Sequence, residues 1–314
     1  MLIEIVLKLF EVLLDLLIKA FRLEERVPQL FRRLKRVERS LWNELARQRI
    51  NDELAAQAVI HGPYTLSPRI VLRPRLVHDD HKATLARQQR EKLAGVSPND
   101  PHGLLLGDVR WADDPLSFEI QPADFADLLV LRSVAPVQSP PRVLSANALV
   151  VCDELRLIML HRRSKDSATY PGCLHTVGGG YWPPGFDGRE GDGLDLRHTA
   201  TREVYEETRA SIVIDDGTPL VAMEELRTGF IQIAFLGCPI SAQNHRRIQD
   251  NPEGHVVWLG FDELESRLRS DVDWVPTAKA SILAWLAMTA PGAGERPRFN
   301  GKSPTELFKA LAVN

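Results

Sequence analysis

Three glutamates in the second half of the chain have the residue type and spacing that a metal site requires. Glu203, Glu206 and Glu207 are separated by steps of three and one, so they share one face if this segment is a helix. Carboxylates held that close together repel one another unless a cation lies among them. Magnesium prefers oxygen ligands and completes its shell with water and substrate phosphate. The spacing therefore predicts a divalent-metal site that acts on a phosphorylated substrate.

The segments before these glutamates are of a kind that brings backbone close to a ligand. Residues 146–164 read as two apolar strands. A further short strand ends in Gly178, Gly179 and Gly180, and glycines permit a close approach or a sharp turn. A glycine- and aspartate-rich loop then leads into a predicted helix over 194–210. We expect the three glycines to contact substrate beside the carboxylates.

Residues 202–207, R-E-V-Y-E-E, follow a glycine-rich turn and resemble the box of the Nudix hydrolase family. The family pattern is G-x5-E-x7-R-E-U-x-E-E-x-G-U, where U is a bulky aliphatic residue. The runs at 161–164 (HRRS) and 252–264 (PEGHVVWLGFDEL) fall where Nudix domains have similar stretches. The resemblance covers about residues 146–268, less than half of the chain. Without the glycine turn, the same run is also common in charged surface helices.

The resemblance implies a fold, an activity and a cofactor. The fold is α+β, a Nudix-like α/β/α sandwich with a mixed sheet. The activity is hydrolysis of nucleoside diphosphates linked to another group, so the partner is a small-molecule diphosphate and the cofactor is Mg²⁺ or Mn²⁺. On this basis Glu206 and Glu207 bind metal, Glu203 binds metal or orients water, and Arg202 makes a structural ion pair. Metal would neutralise the diphosphate oxygens and lower the pKa of a water nucleophile.

The start of the box departs from the family pattern. Counted back in register, its first glutamate falls on Leu194, and the loop before Arg202 is longer than usual. The candidates for the missing carboxylate are Glu190, Asp192 and Asp195. The choice among these three stays open.

The end of the box departs as well. Arg209 stands where the family has glycine, and Ala210 stands where it has a bulky aliphatic residue. A non-glycine residue at a left-handed helix end costs roughly 1 kcal/mol. The conformation of the helix end can therefore differ from that of the family. The glutamates that are expected to bind metal are unaffected by this departure.

Several glutamates are candidates for the general base. A base must reach the attacking water at about 3 Å. Glu203 is one candidate, and Glu253, Glu224 and Glu225 are others. We take Glu253, together with the three glutamates of the box, as the catalytic set.

Two arginines are candidates for a phosphate contact. Arg162 and Arg163 are adjacent on a predicted strand. Alternate residues of a strand face opposite ways, so at most one of them binds phosphate. We assign Arg162 to the substrate.

The rest of the chain divides by composition into regions around this domain. We expect an amphipathic helical region over 1–60 and a strand-containing extension, packed on the catalytic domain, over 61–141. The Nudix-like hydrolase domain then spans 142–290, and a C-terminal tail with a helix spans 291–314. The best linker is the SPPR run at 139–142. The last helix has a capping box, with Ser303 at its cap, Pro304 next and Glu306 three after the cap.

The first residues are too charged for a membrane span. Six charges between Glu4 and Arg22 recur at steps of three and four and so share one helix face. Six charges are costly in hydrocarbon, and no signal-peptide pattern is present. The apolar face must pack on the rest of the chain, on a second copy, or in a membrane interface, which the basic residues 32–39 would suit. We predict homo-oligomer or membrane-surface contact through residues 1–50, with a helix break or restart at Pro28.

Charge and cysteine content limit the class of protein. The net charge is −3, so no global field attracts nucleic acid, and no nucleic-acid partner is expected. Cys152, Cys173 and Cys238 are far apart and form no CxxC pair, which argues against a cysteine zinc site and a disulfide framework. We expect a cytoplasmic protein, with peripheral membrane attachment left open by its N-terminus.

Three functions from different classes compete. The first is an active diphosphate hydrolase, favoured by the three box glutamates. The second is a Nudix-like module that binds a nucleotide without cleaving it, which the altered first glutamate and Arg209 keep open. The third is an oligomeric or membrane scaffold built on the N-terminal helices.

Overall fold

The computed structural model describes residues 2–21, 28–55, 57–92, 100–135, 140–167, 170–183, 195–270, 274–288 and 298–311. The helices in these ranges are α1 (Leu2–Phe21), α2 (Pro28–Leu54), α3 (Asp80–Lys92), α4 (Phe125–Val134), α5 (Leu196–Thr208), α6 (Ala242–His245), α7 (Leu264–Arg269), α8 (Pro276–Met288) and α9 (Pro304–Leu311). The strands are β1 (Ala58–Tyr64), β2 (Arg69–Leu72), β3 (Pro101–Leu106), β4 (Ser117–Asp124), β5 (Val143–Cys152), β6 (Leu157–Arg163), β7 (Leu174–His175), β8 (Val177–Gly180), β9 (Leu220–Glu225), β10 (Phe230–Pro239) and β11 (Gly254–Gly260).

The described strands form one mixed sheet. Its main path runs β1-β9-β10-β5-β3-β4-β2, while β8 and β6 also pair with β5, and β7 and β11 pair with β6. The β5–β10 and β2–β4 pairs are parallel, and the other pairs are antiparallel. Strand β5 is buried along its whole length, so it is the centre of the sheet. This mixed sheet confirms the predicted α+β class.

Both faces of the sheet are covered, because successive side chains of β5 point to opposite sides. Leu149 and Val151 join the core that includes residues of α2 and α8. Ala148 and Val150 join the core that includes residues of α5. Helix α8 begins at a proline, which suits the first turn, and most of its residues are buried. The layers are therefore helix, sheet and helix, as predicted.

The extension over 61–141 lies within the sheet as well as against the rest of the chain. Strand β1 pairs with β9, with Ala58 opposite Glu225. Strand β3 pairs with β5, with Leu104 opposite Val143. The sequence boundary at 141 therefore separates strands that are hydrogen-bonded neighbours.

The N-terminal region is helical on both sides of the predicted break. Helix α1 is followed by α2, which is described from Pro28, and residues 22–27 between the two helices lie outside the described residues. Helix α2 packs on α8, where the Trp42 indole donates to the Ala287 carbonyl at 2.7 Å. On α1, Leu7 and Leu14 are buried, while the large apolar residues exposed to solvent are Ile5, Val6, Leu9, Val12, Leu13 and Leu16. Of the described helices, none is long and apolar enough to cross a bilayer.

The capping box predicted for the last helix is present. The Ser303 hydroxyl accepts from the Glu306 backbone N–H at 3.2 Å, and the Glu306 carboxylate accepts from the Ser303 backbone N–H at 2.7 Å. These two bonds satisfy N–H groups that the first turn of α9 leaves without a helical partner. The prediction from Ser303, Pro304 and Glu306 is confirmed.

Candidate active site

Helix α5 carries the three glutamates and is fixed at both ends. Asp195 caps its start, with the carboxylate accepting from the Arg197 backbone N–H at 3.0 Å. Its end is left-handed at Arg209, with φ at 62°, and the Arg209 N–H donates to the Tyr205 carbonyl. The glycine-type helix end of the family pattern is thus kept without a glycine. The Asp195 carboxylate also accepts a hydrogen bond from the Arg197 side chain. The other candidates for the first box carboxylate, Glu190 and Asp192, and Leu194 lie outside the described residues.

The three carboxylates differ in exposure along the helix face. The Glu207 side chain is 7 % exposed and that of Glu203 is 12 % exposed, whereas that of Glu206 is 42 % exposed. Glu207 and Glu203 therefore form the floor of the site and Glu206 its rim. Such a gradient lets a cation keep water on its open side while protein oxygens hold the other.

Arg202 pairs with two of the three glutamates. Its guanidinium lies 2.7 Å from one oxygen of Glu203 and 2.8 Å from one oxygen of Glu206. It also donates to the Gly180 carbonyl at 3.2 Å and lies over the Trp182 ring, 4.0 Å from its centroid. The arginine therefore ties α5 to the end of β8 and orients two carboxylates from the side.

The three glycines bring β8 against α5. A Cβ on Gly179 would lie 2.4 Å from the Glu203 carboxylate, and one on Gly178 would lie 2.2 Å from Asn147 Cβ. Only glycine permits these approaches without a shift of the neighbouring atoms. The backbone of Gly178 also hydrogen-bonds to Glu207. The glycines thus support the glutamates, in addition to facing the open space beside them.

The electrostatics of the floor favour a bound cation. Burial raises the pKa of the Glu203 carboxyl to about 7, against the opposing charge of Arg202. Burial also raises the pKa of Glu207 well above its usual range, and the negative charges of Glu203 and Glu253 add to that rise. One oxygen of Glu207, Oε2, is buried and has no hydrogen-bond partner in the described part of the chain. A divalent cation would compensate both the crowded charge and this lone oxygen, so the donor set fits one.

A cavity of about 340 Å³ opens in front of these groups. It brings together the glutamates, the glycines and Glu253, which the sequence analysis proposed. These lining residues are Glu203, Glu206, Glu207, Glu253, Gly178, Gly179 and Gly180. Trp182 and Phe230 line it too, whereas Tyr181 is fully buried in the core.

The structure places Arg162, the arginine that the sequence analysis assigned to the substrate, away from the cavity lining. Among the described lining residues the arginine is Arg163, whereas Arg162 donates to the Gly172 carbonyl at 2.8 Å. The two side chains face opposite ways, as expected for neighbours on β6. Arg163, rather than Arg162, is thus the arginine that lines the cavity in the described part of the chain.

The candidates for a general base separate by environment. Glu253 is exposed and lines the cavity. Glu225 also lines it but is 2 % exposed and accepts from the Thr228 and Thr277 hydroxyls at 2.7 and 3.1 Å. Glu224 is not among the described lining residues. Glu253 is therefore better placed than Glu225 to take a proton from a cavity water.

Sequence reasoning missed two histidines behind the glutamates. His161 on β6 and His175 on β7 are paired residues of one antiparallel ladder, and their ring nitrogens Nδ1 and Nε2 lie 3.0 Å apart. Burial, helped by the charge of Arg163, lowers the pKa of His161 to about 4 and that of His175 well below its usual range. Both rings are thus neutral at pH 7. The available signal was His161 at two positions before Arg163, a spacing that puts both on one strand face.

Three hydrogen-bonded polar side chains lie at the cavity, two of them on neighbouring strands. The Asn147 amide donates to the Thr176 hydroxyl at 2.7 Å and to the Gln232 amide oxygen at 3.2 Å. Asn147 and Gln232 both line the cavity. They add neutral hydrogen-bonding groups to the lining of the cavity.

Comparisons with known proteins give matches among solved structures only. No protein-family model matches the chain, and no curated protein matches it. The MutT protein from Methanosarcina mazei Go1 is 23 % identical, with 44 % of this chain and 86 % of that chain covered and a TM-score of 0.33. A NUDIX hydrolase from Alicyclobacillus acidocaldarius is 16 % identical, with coverage of 48 % and 92 % and a TM-score of 0.32. The NUDIX domain of Shewanella oneidensis NrtR, complexed with ADP ribose, is 16 % identical, with coverage of 45 % and 84 % and a TM-score of 0.31.

Two of these three neighbours are named for the family whose box residues 202–207 resemble.

Proposed function

We propose that this chain is a divalent-metal-dependent hydrolase of a diphosphate linkage in a nucleoside-diphosphate-type substrate. The main support is the position of Glu203, Glu206 and Glu207, which line one cavity together with three glycines. The Oε2 atom of Glu207 adds a buried carboxylate oxygen that has no hydrogen-bond partner in the described part of the chain. Mg²⁺ or Mn²⁺ is the cofactor that suits an all-oxygen donor set with open positions.

Each residue has a role that follows from its surroundings. Glu203 and Glu207 would hold the cation with their buried carboxylates, and Glu206 would hold it with its exposed one. Arg202 keeps Glu203 and Glu206 oriented through its two ion pairs. When bound, the cation would neutralise diphosphate oxygens and lower the pKa of a water nucleophile.

The substrate would be held by groups around the cavity. Arg163 faces the cavity, and a guanidinium can bind phosphate oxygens in a bidentate manner. Glu253, exposed at the mouth, takes the proton of the attacking water. The volume of about 340 Å³ lies at the lower end of the range for small-molecule sites, roughly 300–1,000 Å³, which suits part of a nucleotide better than a polymer.

The test is release of a monophosphate product from nucleotide sugars, dinucleotides, ADP-ribose and nucleoside triphosphates. We expect turnover with Mg²⁺ and none with EDTA. Glu207→Gln should lower the rate at least about a hundredfold, since it removes a ligand of the catalytic ion. The matched control is Glu91→Gln, an exposed glutamate on α3, which should behave as wild type. Equal rates for both variants would refute the metal role of Glu207.

The alternative is a module that binds a nucleotide without cleaving it. The missing first box glutamate favours this reading, because Leu194 occupies its position in register. Calorimetric binding of one of the same nucleotides, with no product over hours in Mg²⁺ or Mn²⁺, would select the sensor over the hydrolase.

The N-terminal helices support a second, separate proposal. Leu9, Leu13 and Leu16 leave an apolar face of α1 open to solvent, and α2 exposes basic residues, among them Arg32 and Arg36. We propose that residues 1–50 attach this cytoplasmic chain to an anionic membrane surface or to a second copy.

Two measurements on one variant separate these partners. Substituting Leu9, Leu13 and Leu16 by Gln should abolish sedimentation with phosphatidylserine vesicles if lipid is the partner, or reduce the mass in light scattering if a second copy is. Val213→Gln, at an exposed valine elsewhere, is the control. No change in either measurement would refute the proposal.

A further inference from the structure

A second group of metal-ligand side chains lies behind the carboxylates of α5. His161, His175 and Glu207 come from β6, β7 and α5, and they are 1 %, 8 % and 6 % exposed. His161 Nδ1 lies 3.0 Å from His175 Nε2 and 3.9 Å from Glu207 Oε2. One ligand atom from each residue lies within 4.8 Å of the other two. Three chain segments thus converge on a single point.

The distances suit three ligands of one ion. Two ligand atoms at about 2.1 Å from an ion are separated by about 3.0 Å at a right angle and by about 4.2 Å when opposite. The 3.0 Å between the two imidazole nitrogens matches the first value, and the 3.9 Å to Glu207 falls between the two. The longest separation between two of the three ligand atoms is at most 4.8 Å. A side-chain shift of less than about 1 Å would shorten it to about 4.2 Å, the distance between opposite ligands.

The lone oxygen of Glu207 points to a ligand here. Glu207 Oε2 is the oxygen nearest His161, and it is buried without a hydrogen-bond partner in the described part of the chain. A buried unpaired carboxylate oxygen is costly. The His175 ring is also hydrogen-bonded to the Thr176 backbone, and such an anchor is typical of a metal-ligating histidine.

An ion has a route to this point. A cavity of about 250 Å³, lined also by Ser164, Asp166 and Glu253, opens onto the cluster. Arg163 lines it as well, and its positive charge opposes a cation. Asp166, Glu253 and Glu207 supply the negative charge that offsets it.

The donor types select the metal. Imidazole nitrogen suits zinc, iron, cobalt, nickel and copper, whereas magnesium prefers an all-oxygen shell. We propose that His161, His175 and Glu207 bind one transition-metal ion, such as Zn²⁺ or Co²⁺, at a site that differs from the glutamate site in its two histidine donors. Glu207 is the residue the two sites share. The proposal concerns binding and holds whether or not the chain hydrolyses a diphosphate.

The test uses the full chain, stripped with EDTA and titrated with Co²⁺ and Zn²⁺. We expect one equivalent of Co²⁺ with a visible d–d absorption band, displaced by Zn²⁺ but not by a large excess of Mg²⁺. His161→Gln and His175→Gln should each weaken binding at least tenfold. The control is His81→Gln, an exposed histidine on α3, which should bind as wild type.

Glu203→Gln separates this proposal from the proposed hydrolysis. It removes a ligand of the glutamate site only, so it should lose Mg²⁺-dependent product release and keep the Co²⁺ band. Absence of a stoichiometric Co²⁺ band in the wild-type chain would overturn the proposal, and this result does not depend on any variant folding. Binding that is unchanged in both histidine variants would overturn it too.

Discussion

Gly179→Ala tests whether the position of the Glu203 carboxylate matters. A Cβ at this position would lie 2.4 Å from Cδ and Oε2 of Glu203, whereas carbon contacts are favourable at about 3.5 Å or more. The carboxylate must therefore move by about 1 Å, since the backbone of β8 is held by its pairing with β5. A displacement of that size at a reacting centre costs about a hundredfold in rate.

The assay compares hydrolysis at saturating Mg²⁺ with equilibrium binding of Mn²⁺. Both should fall in Gly179→Ala, because the same carboxylate serves binding and turnover. Overpacking also lowers the free energy of unfolding by about 1–3 kcal/mol, which urea unfolding measures separately. The matched control is Gly260→Ala on β11, where a Cβ meets only Glu263 carbons at 4.0 Å.

The result that refutes this reasoning is specific. A folded Gly179→Ala protein with wild-type turnover and wild-type Mn²⁺ affinity would show that Glu203 does not hold the ion. A loss of stability in both glycine variants, with no difference between them in rate, would show that the close contact is structural only.

Two further predictions concern pH and the helix end. Burial raises the pKa of Glu203 from its ordinary value of 4.5 to about 7, so between these pH values the folded state holds a proton that the unfolded state has lost. The metal-free protein should therefore lose stability, by about 3 kcal/mol at most, as pH rises from 5 to 8. Urea unfolding with and without Glu203→Gln measures this, and an equal slope in both would contradict it. Arg209→Gly should raise the free energy of unfolding by up to about 1 kcal/mol, because Arg209 is left-handed at φ 62°; a lower midpoint in urea would contradict this.

The helix of the site could be read from the sequence because its signal is local. The spacing of Glu203, Glu206 and Glu207 is set by helix geometry, and the glycines that precede them are close in the chain. The apolar runs of β5 and β6 were likewise predicted from short windows. Local periodicity and turn residues are sufficient for such elements.

The remaining parts of the site could not be predicted from short windows, because they depend on pairing between strands that are distant in the sequence. That His161 and His175 meet follows from the β6–β7 register, which no single window contains. The position of Arg163, rather than Arg162, at the cavity could not be predicted from one window either. The neighbours of a strand decide which of its faces is buried. Asp195 was a candidate for the missing site carboxylate, whereas in the structure its side chain caps the start of α5.

The pairing of β3 with β5 and of β1 with β9 joins the early part of the chain to the half that carries the cavity. A chain cut at residue 141 would lose β1 from the edge of β9 and expose unpaired backbone there, which invites strand-to-strand aggregation. Damage at a remote contact, such as Trp42 against Ala287, would lower the stability of the whole sheet. Inherited or engineered changes there would then reduce activity through the amount of folded protein, with the kinetic constants of the remaining molecules unchanged.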